Sequence, residues 1–160
     1  MRKKKTQEIE PMSTFLSFKL NNEYFAIDVN KTLSILDVKP ITLVPNSPPY
    51  LRGVINLRGN VLPIVDLGVK FGMNIAEDTN PKHIIVLCVK IDEEEVQLGV
   101  LADSVCEVLE IPDKAIESLP TIGTKYNNTF IKGILQQEQS FVMLLNIDAI
   151  FSSTENLFLE

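Results

Sequence analysis

Along this chain short apolar runs alternate with polar breaks, and the runs carry the two-residue period of strands. Phe15 to Leu20 is apolar but interrupted at Ser17 and Lys19, as expected for a strand with one buried face. Asn21-Asn22 marks a turn, Tyr24 to Val29 reads as a second strand and Leu33 to Val38 as a third. Pro40, Pro45, Pro48 and Pro49 then exclude helix, because proline lacks the amide hydrogen a helix needs. Val54 to Leu57 and Val61 to Leu67 form a hairpin, with Gly59-Asn60 as its expected two-residue turn and Arg58 at the end of the first strand. Pro63 cannot donate to a ladder, so its strand is an edge there or its ladder is broken. Leu67 to Phe71 reads as a short helix stopped by Gly72, and Asn74 to Pro81 as a polar linker.

The second half opens with His83 to Lys90, a continuous apolar run that reads as a buried strand. Asp92 to Glu95 is an acidic turn, and Val96 to Leu101 and Val105 to Glu110 are further strands. Thr121 to Thr129 has no periodicity and reads as a loop. Ile131 to Leu135 and Phe141 to Leu145 form a last hairpin, followed by a short helix or turn over Asn146 to Phe151.

The two halves echo one another. Leu51-Arg52-Gly53-Val54-Ile55 matches Ile131-Lys132-Gly133-Ile134-Leu135, and Ile64-Val65-Asp66-Leu67 matches Leu144-Leu145-Asn146-Ile147, both at an offset of 80 residues (53 to 133, 66 to 146). Phe25-Ala26-Ile27 matches Leu98-Gly99-Val100 at an offset of 73. Each half supplies about five short strands, so the expected fold is all-β, with two small five-stranded barrels packed side by side, and short helices. Halves of this size are marginal alone, so the barrels should share an apolar interface. The expected boundaries are a disordered arm over 1–12, a first barrel over 13–75, a second over 82–151, and a flexible C-terminus over 152–160.

The run Leu51-Arg52-Gly53-Val54-Ile55-Asn56-Leu57-Arg58-Gly59, followed by Pro63-Ile64-Val65-Asp66-Leu67, resembles the signature of the CheW family of bacterial chemotaxis coupling proteins. The resemblance extends over roughly Ser13 to Phe151. It implies two five-stranded barrels, no catalysis and no cofactor. It also implies an adaptor that couples the cytoplasmic hairpin of a methyl-accepting chemoreceptor to the regulatory domain of the histidine kinase CheA. A CheW-like adaptor of a different receptor–kinase pathway is the alternative.

Composition narrows the classes further. Net charge is −6 and the isoelectric point is near 4.9, against the basic face that nucleic acid requires. No apolar run is long enough for a membrane-spanning helix, and none of signal-peptide length follows Arg2-Lys3-Lys4-Lys5, so the chain reads as cytoplasmic. Cys88 and Cys106 lie in apolar runs and read as small buried hydrophobes. His83 is a lone histidine without partners at metal-ligand spacing. It sits five residues from Cys88 in one extended run, so the two side chains point to opposite faces and form no nucleophilic pair. Asp28, Asp66 and Asp103 stand at strand ends, where carboxylates accept from turn amides.

What remains are candidate docking residues. A groove between the barrels would be walled by Val29 and Thr32 from one half and by Ala102 and Val105 from the other, small or branched residues suited to the apolar face of a helix. The resemblance makes that helix the receptor's. Arg58 is a cation in an apolar hairpin: a surface residue, an internal partner of an acid such as Asp66 or Asp103, or, as the resemblance implies, an anchor for receptor coupling. Val38, Ile41, Val44 and Gly53, in the proline-punctuated region and the adjoining strand, are the candidate kinase-binding residues.

Overall fold

The computed structural model describes residues 10–73, 80–118, 130–138 and 140–152. All ten expected strands are present: β1 (Met12–Leu20), β2 (Glu23–Asp28), β3 (Thr32–Asp37), β4 (Leu51–Leu57), β5 (Asn60–Val65), β6 (His83–Ile91), β7 (Glu94–Ala102), β8 (Ser104–Pro112), β9 (Ile131–Gln137) and β10 (Ser140–Leu145). Two short helices follow the second hairpin of each half, α1 (Leu67–Phe71) and α2 (Ile147–Ser152). Gly72 ends α1 in the left-handed region at φ 74°. Met12 and Glu10, expected within a disordered arm, are ordered: Met12 pairs with Pro112, and Glu10 meets Lys114 at 2.7 Å. Residues 1–9, the loop expected over Thr121–Thr129, most of the Asn74–Pro81 linker and the C-terminus from 153 lie outside the described residues.

The strands form two five-stranded sheets, ordered β8-β1-β2-β10-β9 and β3-β6-β7-β5-β4. Replacing each strand of the first order by its counterpart five places along the chain, in either direction, reproduces the second. The repeat read from the sequence is therefore a pseudo-twofold. The sheets do not divide at 75–82, however: each takes two strands from one half and three from the other. The chain changes sheet at two short crossovers. One is the 3-10 turn Val29–Lys31 between β2 and β3, and the other is Asp103 between β7 and β8. Crossovers this short carry β3 away from β1 and β2 and lay it beside β6, so the halves exchange strands.

This exchange gives the molecule three cores. Phe15, Ala26, Leu109, Leu135 and Leu144 fill the inside of the first sheet, and Ile55, Leu62, Ile64, Ile84 and Val86 the inside of the second. The largest core lies between the sheets, where Leu16, Phe18, Phe25 and Ile27 meet Ile85, Leu87, Leu98 and Val100. Strands β1, β2, β6 and β7 thus bury both faces, which is why His83 to Ile91 is apolar almost throughout. Rings run through the shared core from Phe18 to Phe25, Phe71 and Phe130, with centroids 5.8, 6.1 and 6.0 Å apart.

Hairpin turns obey the twofold. Asn21 and Asn22 have φ of 54° and 69°, and Asp92 and Glu93 have 52° and 67°, so both turns carry the twist that right-handed strands prefer. The β4–β5 turn is Arg58-Gly59, one residue earlier than expected, because Leu57 pairs with Asn60. Arg58 therefore sits in the turn itself at φ 55°, and the Asn56 side chain accepts the Gly59 amide at 2.8 Å. Pro63 interrupts a ladder as its chemistry demands. The parallel β5–β7 pairing begins only at Ile64, whereas in the other half, with Met143 at the matching position, β10–β2 pairing starts at Val142.

Among the described residues neither sheet closes by a full ladder; each is drawn toward a barrel by one bridge. Thr42 exchanges two backbone bonds of 2.9 Å with Val54, and Glu117 exchanges bonds of 2.8 and 2.9 Å with Ile134. A glycine lies under each bridge. A Cβ on Gly53 would stand 2.2 Å from the Thr42 carbonyl oxygen, and one on Gly133 would stand 2.4 Å from the Ile116 side chain. Gly53 also has φ +143°, which a substituted residue strains to adopt. Gly53→Ala should therefore cost roughly 2–6 kcal/mol in urea unfolding, the sum of overpacking and backbone strain. Gly59→Ala, which meets open space, should cost only about 1–2 kcal/mol. Equal costs would mean that the closing segment is not pinned over Gly53.

Candidate functional site

Both crossovers run between the same two strands. The first leaves β2 where Asp28 pairs with Phe15 of β1, and enters β3 where Thr32 pairs with Leu87 of β6. The second leaves β7 where Ala102 pairs with His83 of β6, and enters β8 where Ser104 pairs with Lys19 of β1. Four of the five expected receptor-binding residues lie at these crossovers. Val29, Thr32 and Val105 are half-buried. Ala102 is fully buried in the core between the sheets, so its side chain is not on the surface.

The edge strands add residues that the sequence reading missed. Ile35 pairs with Ile85 and Val108 pairs with Leu16, so each lies on the inter-sheet face, yet they are 44% and 57% exposed. The apolar layer between the sheets thus emerges at the edges of β3 and β8. The available signal was an apolar residue beside a predicted core position; the strand pairing needed to read it is non-local.

Arg58 stands elsewhere. It lines a cleft of about 860 Å³ with Val44, Val54, Leu57, Val61 and Glu95. Neither expected internal partner takes it: Asp66 binds Arg52 at 2.9 Å, and Asp103 accepts the Asn21 amide at 2.8 Å. Of the expected kinase-binding residues, Val44 shares this cleft and Val38 is exposed with its amide bound to the Lys82 carbonyl. Ile41 packs on the second sheet's core, and Gly53 is buried beneath Ile41 and Thr42, so these two hold the fold closed. Leu43 and Val61, 78% and 73% exposed, extend the apolar surface on this side.

The aspartates act as the sequence implied. Asp28 accepts the Asn30 amide at 2.9 Å, and Asp66 accepts the Val69 amide at 3.3 Å while capping α1. Asn146 does the same for Ala149 at the start of α2, at 3.3 Å, preserving the matched pair of the repeat. Cys88 is half-buried, and its thiol is raised by that burial and by neighbouring Glu95. Cys106 is exposed, contrary to the expectation of a buried side chain, because β8 turns it outward at the sheet edge. Lys31, in the first crossover, meets Asp148 of α2 at 2.6 Å, and the other Asp148 oxygen accepts the Lys90 amide at 3.0 Å. No helix among the described residues is long and apolar enough to cross a membrane.

The geometry defines an internally duplicated all-β binding module, with an apolar layer surfacing at two sheet edges and a separate cleft at one hairpin. Residues 14–155 match the family model described as a CheW-like domain, and the chain belongs to that family. It is 35% identical over 140 residues to the chemotaxis protein CheW of Rhizobium meliloti, and 33% identical over 141 residues to the probable chemotaxis protein CheW of Rhizobium etli; each match covers 88% of both chains. It is 24% identical to protein PilI of Pseudomonas aeruginosa, over 80% of this chain and 70% of that one. The solved structure of the scaffolding protein TtCheW from Thermoanaerobacter tengcongensis shares the fold, with a TM-score of 0.80 and 24% identity over 96% of this chain and 97% of that one.

Partial burial pushes the Asp148 carboxyl up, but the Lys31 ammonium and the Lys90 amide and charge outweigh it and hold the group below its ordinary value. A carboxylate lowered on folding stabilises above its unfolded pKa and loses that contribution as pH falls through its folded one. Asp148→Asn should therefore melt slightly below wild type at pH 7, and the gap should close below about pH 4. A gap that persisted unchanged at pH 2.5 in differential scanning calorimetry would show that the charge contributes nothing.

Proposed function

We propose that this protein is a non-catalytic chemotaxis adaptor, acting in the cytoplasm at receptor arrays. It holds the cytoplasmic hairpin of a chemoreceptor and the regulatory domain of a CheA-type histidine kinase in one assembly. The observation that carries this reading is membership of the CheW-like family across nearly the whole chain.

Two features of the surface favour a two-sided adaptor. Apolar side chains that would sit comfortably in a core are exposed in two separate places, the crossover edges and the β4–β5 cleft. Val29, Thr32 and Val105, extended by Ile35 and Val108, offer branched apolar contacts to a receptor helix. Val38 and Val44, with Leu43 and Val61 beside them, form the kinase side, and Ile41 and Gly53 hold that side in shape. Arg58 at the cleft rim serves coupling between the two rather than the receptor groove itself. Such a protein works through differential affinity for the signalling states of its neighbours, so no bond needs to be made or broken.

Val105→Met places a larger, flexible side chain at the crossover edge. It should weaken capture of a purified receptor hairpin by roughly tenfold while capture of the kinase regulatory domain stays at wild type. Equal loss of both would reject a separate receptor face. Arg58→Ala, at an exposed turn, should change stability by no more than about 0.5 kcal/mol yet reduce receptor-dependent control of kinase activity. A large fall in melting temperature would make Arg58 a structural residue instead.

A further inference from the structure

We propose that Lys31 and Asp148 are positioning residues for the receptor-binding face: their ion pair fastens the first crossover, and with it Val29 and Thr32, to α2. This rests on the receptor assignment above. Lys31 is the last residue of the 3-10 turn Val29–Lys31, directly between the two proposed contact residues. A three-residue turn has little stability of its own. Its N-terminal end is capped by Asp28, which accepts the Asn30 amide at 2.9 Å. Its C-terminal end is closed by the Thr32 amide, which donates to the Val29 carbonyl, and is tied to α2 by Lys31, whose ammonium lies 2.6 Å from Asp148.

The anchor is a firm one. Ile147, Ile150 and Phe151 of α2 are buried in the core between the sheets, so the position of Asp148 is set by packing. Both of its oxygens are engaged, one by Lys31 and the other by the Lys90 amide at 3.0 Å. The carboxylate therefore joins three elements at one point: the crossover, the helix and the end of β6. Thr32, next along the chain, pairs with Leu87 of β6 but buries its hydroxyl oxygen without a hydrogen-bond partner among the described residues.

The pseudo-twofold supplies an internal comparison. Ser104 stands where the repeat would place Lys31, and Gly68 where it would place Asp148, so the second crossover has neither charge. It is held by backbone and turn contacts instead, with the Asp103 amide on the Lys19 carbonyl at 2.8 Å and the Asp103 carboxylate on the Asn21 amide at 2.8 Å. The ion pair is thus not required by the architecture, which closes without it at the equivalent site. Both side chains are about a third exposed, at 35% and 36%, so the pair contributes little to global stability. A contribution of that size still shifts a local opening equilibrium several-fold when only a short turn depends on it.

The test uses the full chain with Lys31→Met, Lys31→Arg and Asp148→Asn, and Lys114→Ala as a control that removes the surface pair with Glu10. Lys31→Met keeps the stem and removes the charge, and Asp148→Asn keeps an oxygen for the Lys90 amide. Affinity for a purified receptor hairpin and for the kinase regulatory domain is titrated for each, with melting temperature alongside. Lys31→Met and Asp148→Asn should each weaken receptor affinity by about three- to tenfold, with kinase affinity within about twofold and a melting temperature within a few degrees of wild type. Lys31→Arg and Lys114→Ala should bind the receptor as wild type does. The proposal is overturned if the two charge-removing variants bind the receptor normally, or if they lose both partners together with thermal stability. Failure of the wild-type chain itself to bind the receptor would overturn the functional reading as well, and so is told apart from failure of the clamp alone.

Discussion

The layer where Leu16, Phe18, Phe25 and Ile27 meet Ile85, Leu87, Leu98 and Val100 is the contact on which the rest of the molecule depends. Neither sheet could stand alone, because its two central strands would present an apolar second face to water. The strand exchange makes that layer unavoidable. Each half sends three strands into the sheet begun by the other, so the halves cannot separate without breaking backbone ladders such as β3–β6 and β1–β8. The crossovers lie where the chain passes this layer, and the edge strands that follow them carry its apolar face out to solvent at Ile35 and Val108. The proposed receptor face is therefore a by-product of how the core is built.

Duplication supplies one backbone plan twice, and substitution then sets the two copies to different tasks. Proline at 63 shortens the β5–β7 ladder, while Met143 leaves its counterpart longer. The two hairpin tips carry opposite charges at matching turn positions, Arg58 at φ 55° and Glu138 at φ 48°. Beside Arg58 the cleft is about 860 Å³ and largely apolar, whereas around Glu138 a polar recess with Ser140, Gln137 and Cys106 encloses only about 320 Å³. The same architecture thus presents one apolar and one polar end.

Local chemistry made much of this legible beforehand. Apolar runs and the turn signals between them located all ten strands, Gly72 marked the end of α1, and the 80-residue echo announced the twofold. The β4–β5 turn was misplaced by one residue because an arginine at positive φ is an uncommon choice, here secured by the Asn56 side chain on the Gly59 amide. Strand exchange could not be read at all, since pairing between β3 and β6 joins residues some fifty positions apart and leaves no local trace. The burial of Ala102 in the layer between the sheets and the exposure of Cys106 on the edge strand β8 depend on the same non-local assembly. So does the separation of Arg58 from the crossover residues with which the sequence grouped it. The Lys31–Asp148 contact spans 117 positions and was equally invisible.

In the proposed reading the receptor and kinase faces are distinct surfaces on one rigid core, so both partners can be held at once. Analytical ultracentrifugation of the chain mixed with a receptor hairpin fragment and the kinase regulatory domain tests this most directly. A single sedimenting species containing all three proteins, with neither partner displacing the other at saturation, is the expected result. Mutually exclusive binding, in which excess receptor fragment drives the kinase domain off the chain, would contradict it.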